Sequence, residues 1–495
     1  MRIICVAGVV VALSTPVAAP ASERFVSPSG SDASNDCSAS ATPCATIAHA
    51  LTQAGSGDSI KTAAGRYPDP LLIDYSTTLT ILGGWRSDFS GVSPTGAKST
   101  VIAAPVSIEA DSTEAITVTF DRFTFAANGN PGALAANAVD SGTTTLVVTN
   151  SVVRQLVADP STPFRGVSVS AAGSGTLNVS FANSTIARWS ADGAELASHD
   201  SSSVTGSFVG CTVAQNKDGG LRAVGVDGSR LRLTVADSTF SKNQGASGGG
   251  LLAFGLDDTY VDVTGSVFKG NKATGGPGSG VGGAISVSGA QLVCWNSTFT
   301  RNKSTSDGGA ISVEAPTDTI AFAHLVNDFF IKNVSSSGFG GGTSFFSSYL
   351  GTFGAQIANC TFVKNRASSG GGLAARNSSS SDSSMLLLND ILFDNVATTN
   401  GTDVALSSDW FGNADVYADH DDIGGLFNNP MHPMALHDQG GNISADPALR
   451  HQMILKPNSP AVDAGTCSGA PTTDFEGDPR PSGGGCDIGA DEFVP

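Results

Sequence analysis

Charge is scarce in this sequence. Only 14% of the 495 residues are Asp, Glu, Lys or Arg, whereas an average soluble domain has roughly a quarter. Acidic residues outnumber basic ones by 44 to 26, for a net charge of −18. Nucleic acid recognition needs a basic surface, so no nucleic acid partner is expected. No segment has 18 consecutive apolar residues, so no integral membrane segment is expected either.

Motifs for catalysis or cofactors are also missing. The sequence has no glycine-rich phosphate loop between a strand and a helix, no zinc-ligand spacing and no nucleophile elbow. We therefore predict no catalytic residue, no metal site and no cofactor. The densest titratable group is Asp419, His420, Asp421 and Asp422, with His432 and His437 nearby. We interpret this group as turn structure; the alternative is a divalent-metal site.

The first 21 residues are typical of a secretory signal peptide, because a basic residue precedes an apolar stretch and small residues. The remaining chain is thus expected to be secreted or displayed at the cell surface. Disulfides form in such compartments. We predict two of them, Cys37–Cys44 and Cys467–Cys486, each within a polar or Gly/Pro-rich loop.

What the sequence has in abundance is one repeated frame. An apolar anchor residue returns nine times, at intervals of 27 to 33 residues. The residues five and seven places before each anchor are apolar or Gly, a spacing typical of a strand with one buried face. A period of about 30 residues indicates a stacked solenoid. The anchors are Val153, Ile186, Val213, Phe240, Phe268, Phe299, Phe330, Phe362 and Leu392.

Two polar columns divide the frame. Three residues before the anchor, all nine positions hold Asn, Asp or Gly, which tolerate positive φ and predict a bend. The six asparagines of this column are candidates for a ladder of side-chain amides. Three residues after the anchor, Asn fills seven of nine positions and ends the strand. Cys211, Cys294 and Cys360 fall within the repeat, and we predict that they are unpaired core residues.

Strand, bend, strand and glycine-rich loop at this period predict an all-β right-handed parallel β-helix. FSKN, FKGN, FTRN, FIKN and FVKN, with GGAI, resemble the repeats of polymorphic outer membrane proteins. They are also similar to secreted β-helix proteins of the pectate-lyase-like superfamily. ISADPAL, NSPAVDAG and CDIGADEF resemble the C-terminal region of choice-of-anchor Q proteins.

The predicted organisation has four parts. Residues 1–21 are the signal peptide, and 22–70 form an N-terminal cap and first coil, with a short capping helix between residues 45 and 54. Residues 71–410 form the β-helix repeats, and 411–495 form the last coils and a C-terminal cap. Terminal coils need such caps because an open edge would pair with other chains.

The resemblance allows two functions. One is a scaffold for binding or surface display, and the alternative is a polysaccharide lyase or glycoside hydrolase. The hydrolase signatures NTD, GHG and RIK are absent, and the frame has no column of stacked acidic residues. Both observations favour the scaffold.

A basic stripe is the one functional signal in the repeats. Eleven of the 26 basic residues fall one to four places after an anchor. Five share the second place, where we expect them to project from one edge and bind an acidic polysaccharide or cell-surface glycan. The alternative is a solvated turn whose cations keep the protein soluble. The five residues are Arg188, Lys242, Arg301, Lys332 and Lys364.

Overall fold

The apolar columns of the repeat become the inner faces of stacked strands. In the computed structural model the chain winds as a parallel β-helix, with strands in four sheets. This confirms the predicted all-β parallel solenoid. The structure describes residues 21–126, 132–155, 164–255, 258–276, 278–378, 382–408, 413–429, 434–451 and 453–495. Residues 1–20 of the predicted signal peptide, and His432, lie outside these ranges.

Sheets A and B carry the two strands that flank the bend. Sheet A has 15 strands: Glu23–Val26, Ser59–Ala63, Thr77–Trp85, Ala115–Asp121, Thr143–Thr149, Thr176–Ala182, Ser203–Val209, Arg230–Ala236, Asp258–Thr264, Gln291–Trp295, Ile320–Val326, Thr352–Ala358, Asp382–Leu388, Asn413–Asp419 and Ala435–Gly440. Sheet B has 13 strands: Gly65–Tyr67, Thr100–Ile102, Thr124–Phe125, Val152–Arg154, Thr185–Ala187, Thr212–Ala214, Thr239–Ser241, Val267–Lys269, Thr298–Thr300, Phe329–Ile331, Thr361–Val363, Ile391–Phe393 and Asp422–Ile423.

Sheets C and D contain the remaining strands. Sheet C has 13 strands: Leu71–Ile73, Val106–Ala110, Leu134–Ala138, Val167–Ala171, Ala194–Ser198, Leu221–Gly225, Leu251–Gly255, Ile285–Ser288, Ile311–Ala315, Thr343–Ser347, Leu373–Asn377, Val404–Ser408 and Leu426–Asn428. Sheet D follows sheet B in the later coils and has six short strands: Gln244–Gly245, Lys272–Ala273, Lys303–Ser304, Val334–Ser335, Arg366–Ser369 and Val396–Asn400.

The nine anchors form one continuous row in sheet B, as predicted. Each anchor pairs in register with the anchor of the next coil, and all nine are fully buried. From Phe240 to Phe362 the rings stack, with centroids 4.4 to 5.2 Å apart. This separation is close to the strand spacing of about 4.8 Å, so ring stacking and strand pairing support each other.

The predicted bend is confirmed, but the predicted amide ladder lies elsewhere. All nine residues three places before the anchors have φ between 50° and 62°. In that column, Asn389 donates to Asn359 at 3.3 Å, and this is the one amide-to-amide bond among the described residues. The continuous ladder occupies the other column, three places after the anchors. It runs from Asn216 to Asn395, with Nδ2–Oδ1 distances of 2.9 to 3.1 Å.

The ladder forms there because the preceding residue turns the chain. Lys242, Arg301 and Lys332 have φ near 55°, a left-handed conformation that sends the next side chain inward. Each ladder Oδ1 also accepts a bond from the backbone N–H of the preceding coil, as Asn333 does from Asn302 at 2.9 Å. These buried amides are therefore fully used, which is the condition for burying polar groups at low cost.

A second buried polar column lies two places before the anchors. In the early coils it holds serines and Cys211; the backbone N–H of Ser238 donates to the Oγ of Ser266 at 3.1 Å. In the late coils it holds acids and Cys360, and Asp328 accepts from the backbone N–H of Ser297 at 2.7 Å. Asp390 and Asp421 continue the column, and both are fully buried. Burial raises the pKa of Asp328 to about 8 and the pKa values of the other two well above the ordinary range.

The N-terminal region contains the helix Ile47–Gln53 and the 3₁₀ helix Gly96–Ser99. Thr46 caps the first helix by accepting a bond from the backbone N–H of His49. Cys37 and Cys44 are bonded next to this helix, and Cys467 and Cys486 are bonded in the C-terminal region. Both disulfides match the prediction, and the three remaining described cysteines are free and buried.

The C-terminal segment, residues 443–495, folds back along the late coils. The side-chain amides of Asn327 and Asn389 donate to the carbonyls of Thr473 and Thr466, each at 2.8 Å. Asn359 donates to the carbonyls of Asp487 and Gly489. The bend asparagines of these coils therefore donate to the segment, and among the described residues only the bond from Asn389 to Asn359 joins their amides.

The segment has a charged interior of its own. Arg480 donates to Glu492 at 2.9 Å, and both side chains are fully buried. Arg480 also donates to the carbonyls of Asp487 and Gly489, the carbonyls that Asn359 binds. This guanidinium thus fixes the shape of the segment where it contacts the solenoid. Across the described residues, the structure has no helix long and apolar enough to cross a membrane.

Candidate functional site

The five predicted cations lie on one exposed edge of the solenoid. Arg188, Lys242, Arg301, Lys332 and Lys364 are all exposed, with φ between 55° and 67°. Each sits at the bend between sheet B and the part of the coil that follows, directly before a buried ladder residue or, for Arg188, before the buried Trp189. The anchor's strand therefore ends before these residues, and their side chains point away from the core.

A second row of cations lies beside the first. Lys272, Lys303 and Arg366 are exposed residues of sheet D, where Lys272 pairs with Lys303 and Val334 pairs with Arg366. Each of these three cations directly follows a buried ladder asparagine. The cations of the first row, apart from Arg188, directly precede one. The ladder thus holds two rows of positive charge at a fixed separation, and we call both rows together the basic edge.

At one place the basic edge is closed into a groove. A cavity of about 420 Å³ lies between three stripe residues, Arg301, Lys332 and Lys364, and the C-terminal segment. The segment contributes Arg450 and His451 to the opposite wall. The apolar part of the lining is Ile331, Leu449 and Met453. We call this cavity the basic groove.

The positive charges of the groove are poorly compensated. Among the described residues, no carboxylate lies within ion-pairing distance of Arg301, Lys332 or Arg450. Lys364 lies 3.9 Å from Asp394, with both side chains about half exposed, so this pair contributes little. Like charges brought together repel, although water and salt weaken the repulsion. An anion in the groove would relieve it.

The acidic group at residues 419–422 is structural in character. Asp421 and Asp422 are buried and accept backbone bonds, from Asp390 and Ala445 respectively. Asp419 contacts the ring of His420 at 2.6 Å. Among the described residues, these four side chains do not bring three ligand atoms together.

A different acidic group was missed by sequence reasoning. Ligand atoms of Asp474, Glu476 and Asp491 lie within 4.8 Å of one another. Asp474 already accepts three backbone bonds, and Asp491 accepts one from Leu455. Burial and the neighbouring acids raise the pKa of Glu476 to about 7. Asp474 and Asp491 thus bind the backbone of the C-terminal segment.

Arg450 and His451 were missed as well. They lie outside the repeat, so no column of the frame contains them, and a single sequence offers no signal that they face Arg301. The stripe itself was found because its members recur at one place in the frame. Sequence reasoning also missed Asp307 and Glu314, which line a separate groove at sheet C.

Comparisons with known proteins give limited likenesses. The Chlamydia polymorphic membrane protein repeat matches residues 296–314, a segment that contains FTRN and GGAI and confirms the resemblance of these motifs. A pectate lyase, Pel9A, is similar in structure at 12% identity and a TM-score of 0.40, over 95% of this chain and 96% of that chain. A rhamnogalacturonan lyase is similar at 11% identity and a TM-score of 0.20, over 86% and 87% of the two chains.

The two TM-scores are low, so these structural likenesses carry no argument about what the chain does. A comparison with curated sequences finds no match.

Proposed function

We propose that this protein is an exported scaffold of right-handed β-helix type that binds an acidic polysaccharide along its basic edge. The predicted signal peptide supports export, and the helix Ile47–Gln53 is proposed as the cap of the first coil. The observation that carries the proposal is the basic groove, where Arg301, Lys332, Lys364 and Arg450 meet with little acidic compensation.

The spacing of the edge suits a polymer. Arg301, Lys332 and Lys364 follow one another by one coil each, so their backbones are separated by about 4.8 Å per step. Clefts lined by charge of one sign attract polymers of the opposite sign and speed their association. The net charge of −18 makes the remaining surface repel the same polymer, which confines binding to this edge. The lyase or hydrolase alternative gains no support here, because no set of carboxylates converges at the basic edge among the described residues.

The test is retention on immobilised polygalacturonate. The wild type should be retained at low salt and eluted at moderate salt, because screening shortens the reach of exposed charges. Replacing all five stripe residues with Ser should abolish retention. A variant with Lys61→Ser, a cation remote from the edge in sheet A, is the matched control and should be retained like the wild type.

Two results would refute the proposal. One is a wild-type protein that passes through the column at low salt. The other is a five-residue variant that elutes at the same salt concentration as the wild type, which would leave only the solubility role of these cations.

A further inference from the structure

A second groove lies on the outer face of sheet C. Glu314, Phe346 and Arg376 stand opposite one another on three neighbouring strands. Their backbones are therefore one strand spacing apart, and Glu314 and Arg376 are separated by roughly 9–10 Å. The groove has a volume of about 350 Å³. We call it the sheet C groove, and it is distinct from the basic edge.

The opposite wall fixes Arg376 in place. Asp307 accepts a bond from the backbone N–H of Phe339 at 2.8 Å and forms an ion pair with Arg376. The guanidinium carbon lies 4.1 Å from the ring centroid of Phe339 and 4.7 Å from that of Phe346. Arg376 is therefore held by one carboxylate and two aromatic rings, and its charge is neutralised.

Two polar groups of the groove attract each other electrostatically but have hydrogen-bonding capacity that no described residue uses. The carboxyl of Glu314 makes no hydrogen bond with any described residue. One terminal nitrogen of Arg376 pairs with Asp307, and the other makes no such bond either. Water solvates these groups in the free protein, so a ligand must replace that water with hydrogen bonds of its own. These two groups face the cavity from either side of Phe346.

A ligand for this groove must match three features. It must donate to Glu314, accept from Arg376 and place an apolar surface on the ring between them. It must also be close to neutral, because Asp307 already balances Arg376. Burial and the nearby Asp307 raise the pKa of Glu314, and the Arg376 guanidinium opposes this shift. The roughly 9–10 Å between the backbones of Glu314 and Arg376 is about the length of one or two sugar rings.

We infer that the sheet C groove binds a neutral saccharide unit, with Glu314 and Arg376 bonding its hydroxyls and Phe346 contacting its C–H face. An anionic ligand is disfavoured by the two carboxylates. This site and the basic edge therefore select different chemistries, and neither proposal depends on the other.

The test is saturation-transfer NMR with cellobiose, maltose and lactose, each offered separately to the full chain. At least one should receive magnetisation from the wild type. Glu314→Ala should weaken binding of that sugar roughly tenfold, the effect of losing one or two hydrogen bonds. Glu314→Gln should retain most of the binding, because the amide still bonds hydroxyls. Glu109→Ala, on the same sheet but outside the groove, and Lys332→Ser should bind like the wild type.

Three outcomes would overturn the inference. One is a wild type that transfers magnetisation to none of the three sugars. Another is a Glu314→Ala variant that binds as well as the wild type, with circular dichroism showing that both are folded. The third is transfer to the dipeptide Gly-Lys with none to the sugars, which would assign the groove to an amine ligand.

Discussion

The early and late coils share one row of buried anchors but differ on the outside. Asn150 and Asn183 at the bend are exposed, whereas Asn327, Asn359 and Asn389 at the same place in the frame are buried. The difference arises because the C-terminal segment covers only the late coils. The repeat therefore determines what faces the core, and the covering segment determines which outward residues are buried.

The outward apolar residues follow the same rule. Val326, Ala358 and Leu388 form a small buried cluster on the outer face of sheet A, beneath the segment. At the same place in earlier coils, Val209 and Thr264 are exposed. Apolar side chains on the outside of a late coil are thus explained by the C-terminal segment, which covers them.

The largest expected effect tests whether the interior is the same in both regions. Phe240 and Phe362 end the stack of aromatic rings, and each has one stacked neighbour. Phe240→Ala and Phe362→Ala should each lower the free energy of unfolding by roughly 3–5 kcal/mol, from lost burial and the cavity left behind. Urea unfolding measures both. Values that differ by more than their errors would show that the two interiors are not equivalent.

Two substitutions at the bend measure how much the C-terminal segment stabilises the late coils. Asn183 and Asn359 have φ of 50° and 52°, so Gly at either place relieves the same strain. Asn359→Gly loses two bonds to the C-terminal segment and should cost about 1–3 kcal/mol. Asn183→Gly should change stability little, since Gly210 and Gly265 occupy this place naturally. Equal costs for the two variants in urea unfolding would mean that the segment does not stabilise the bend.

The buried acids of the late coils should make the free energy of unfolding depend on pH. The serines at the same place in the early coils cannot do so. Asp328 has a pKa of about 8 in the folded protein, above the ordinary 3.8. The folded chain then keeps a proton that the unfolded chain releases, so this contribution is present at low pH and is lost as pH rises towards 8. The slope is on the order of 1 kcal/mol per pH unit between about pH 4 and 8.

Asp328→Asn should flatten this decline in urea midpoints measured from pH 5 to pH 8. Asp390 and Asp421 remain, so part of the slope should persist. Asp237→Asn, an exposed acid of an early coil, is the control and should leave the slope unchanged. A slope that Asp328→Asn does not alter would contradict the buried, protonated state of this side chain.

The smallest effect on stability is expected at the basic edge, where the two regions should differ in binding instead. Arg188→Ser with Lys242→Ser, and Lys332→Ser with Lys364→Ser, should each change stability by less than about 0.5 kcal/mol. The late pair lines the groove with Arg450, so its loss should reduce the salt concentration of elution from polygalacturonate more than loss of the early pair. An equal reduction would assign binding to the whole edge rather than to the groove.

The sequence predicted those features that recur. The anchor row and the bend could be predicted because the same residue type recurs at one position in nine copies of the repeat, as at Phe299 and Asn296. The amide ladder was assigned to the wrong column because a single sequence does not show which way an asparagine points. Its direction depends on the left-handed residue before it, such as Arg301 before Asn302. The basic groove brings Arg450 and the stripe together from parts of the chain that share no period, so no pattern could reveal it.

The ladder of asparagines also bears on how such a chain can change in length. Every rung from Asn216 to Asn395 presents the same donor and the same acceptor, so a duplicated coil would find its bonds already matched. Asp403 accepts the last bond at 2.7 Å. Its carboxyl group has no amide N–H that could donate to a further rung. The series is therefore closed at one end and open to insertion within. Gene duplication can lengthen the basic edge one cation at a time while the covered coils keep their own partner.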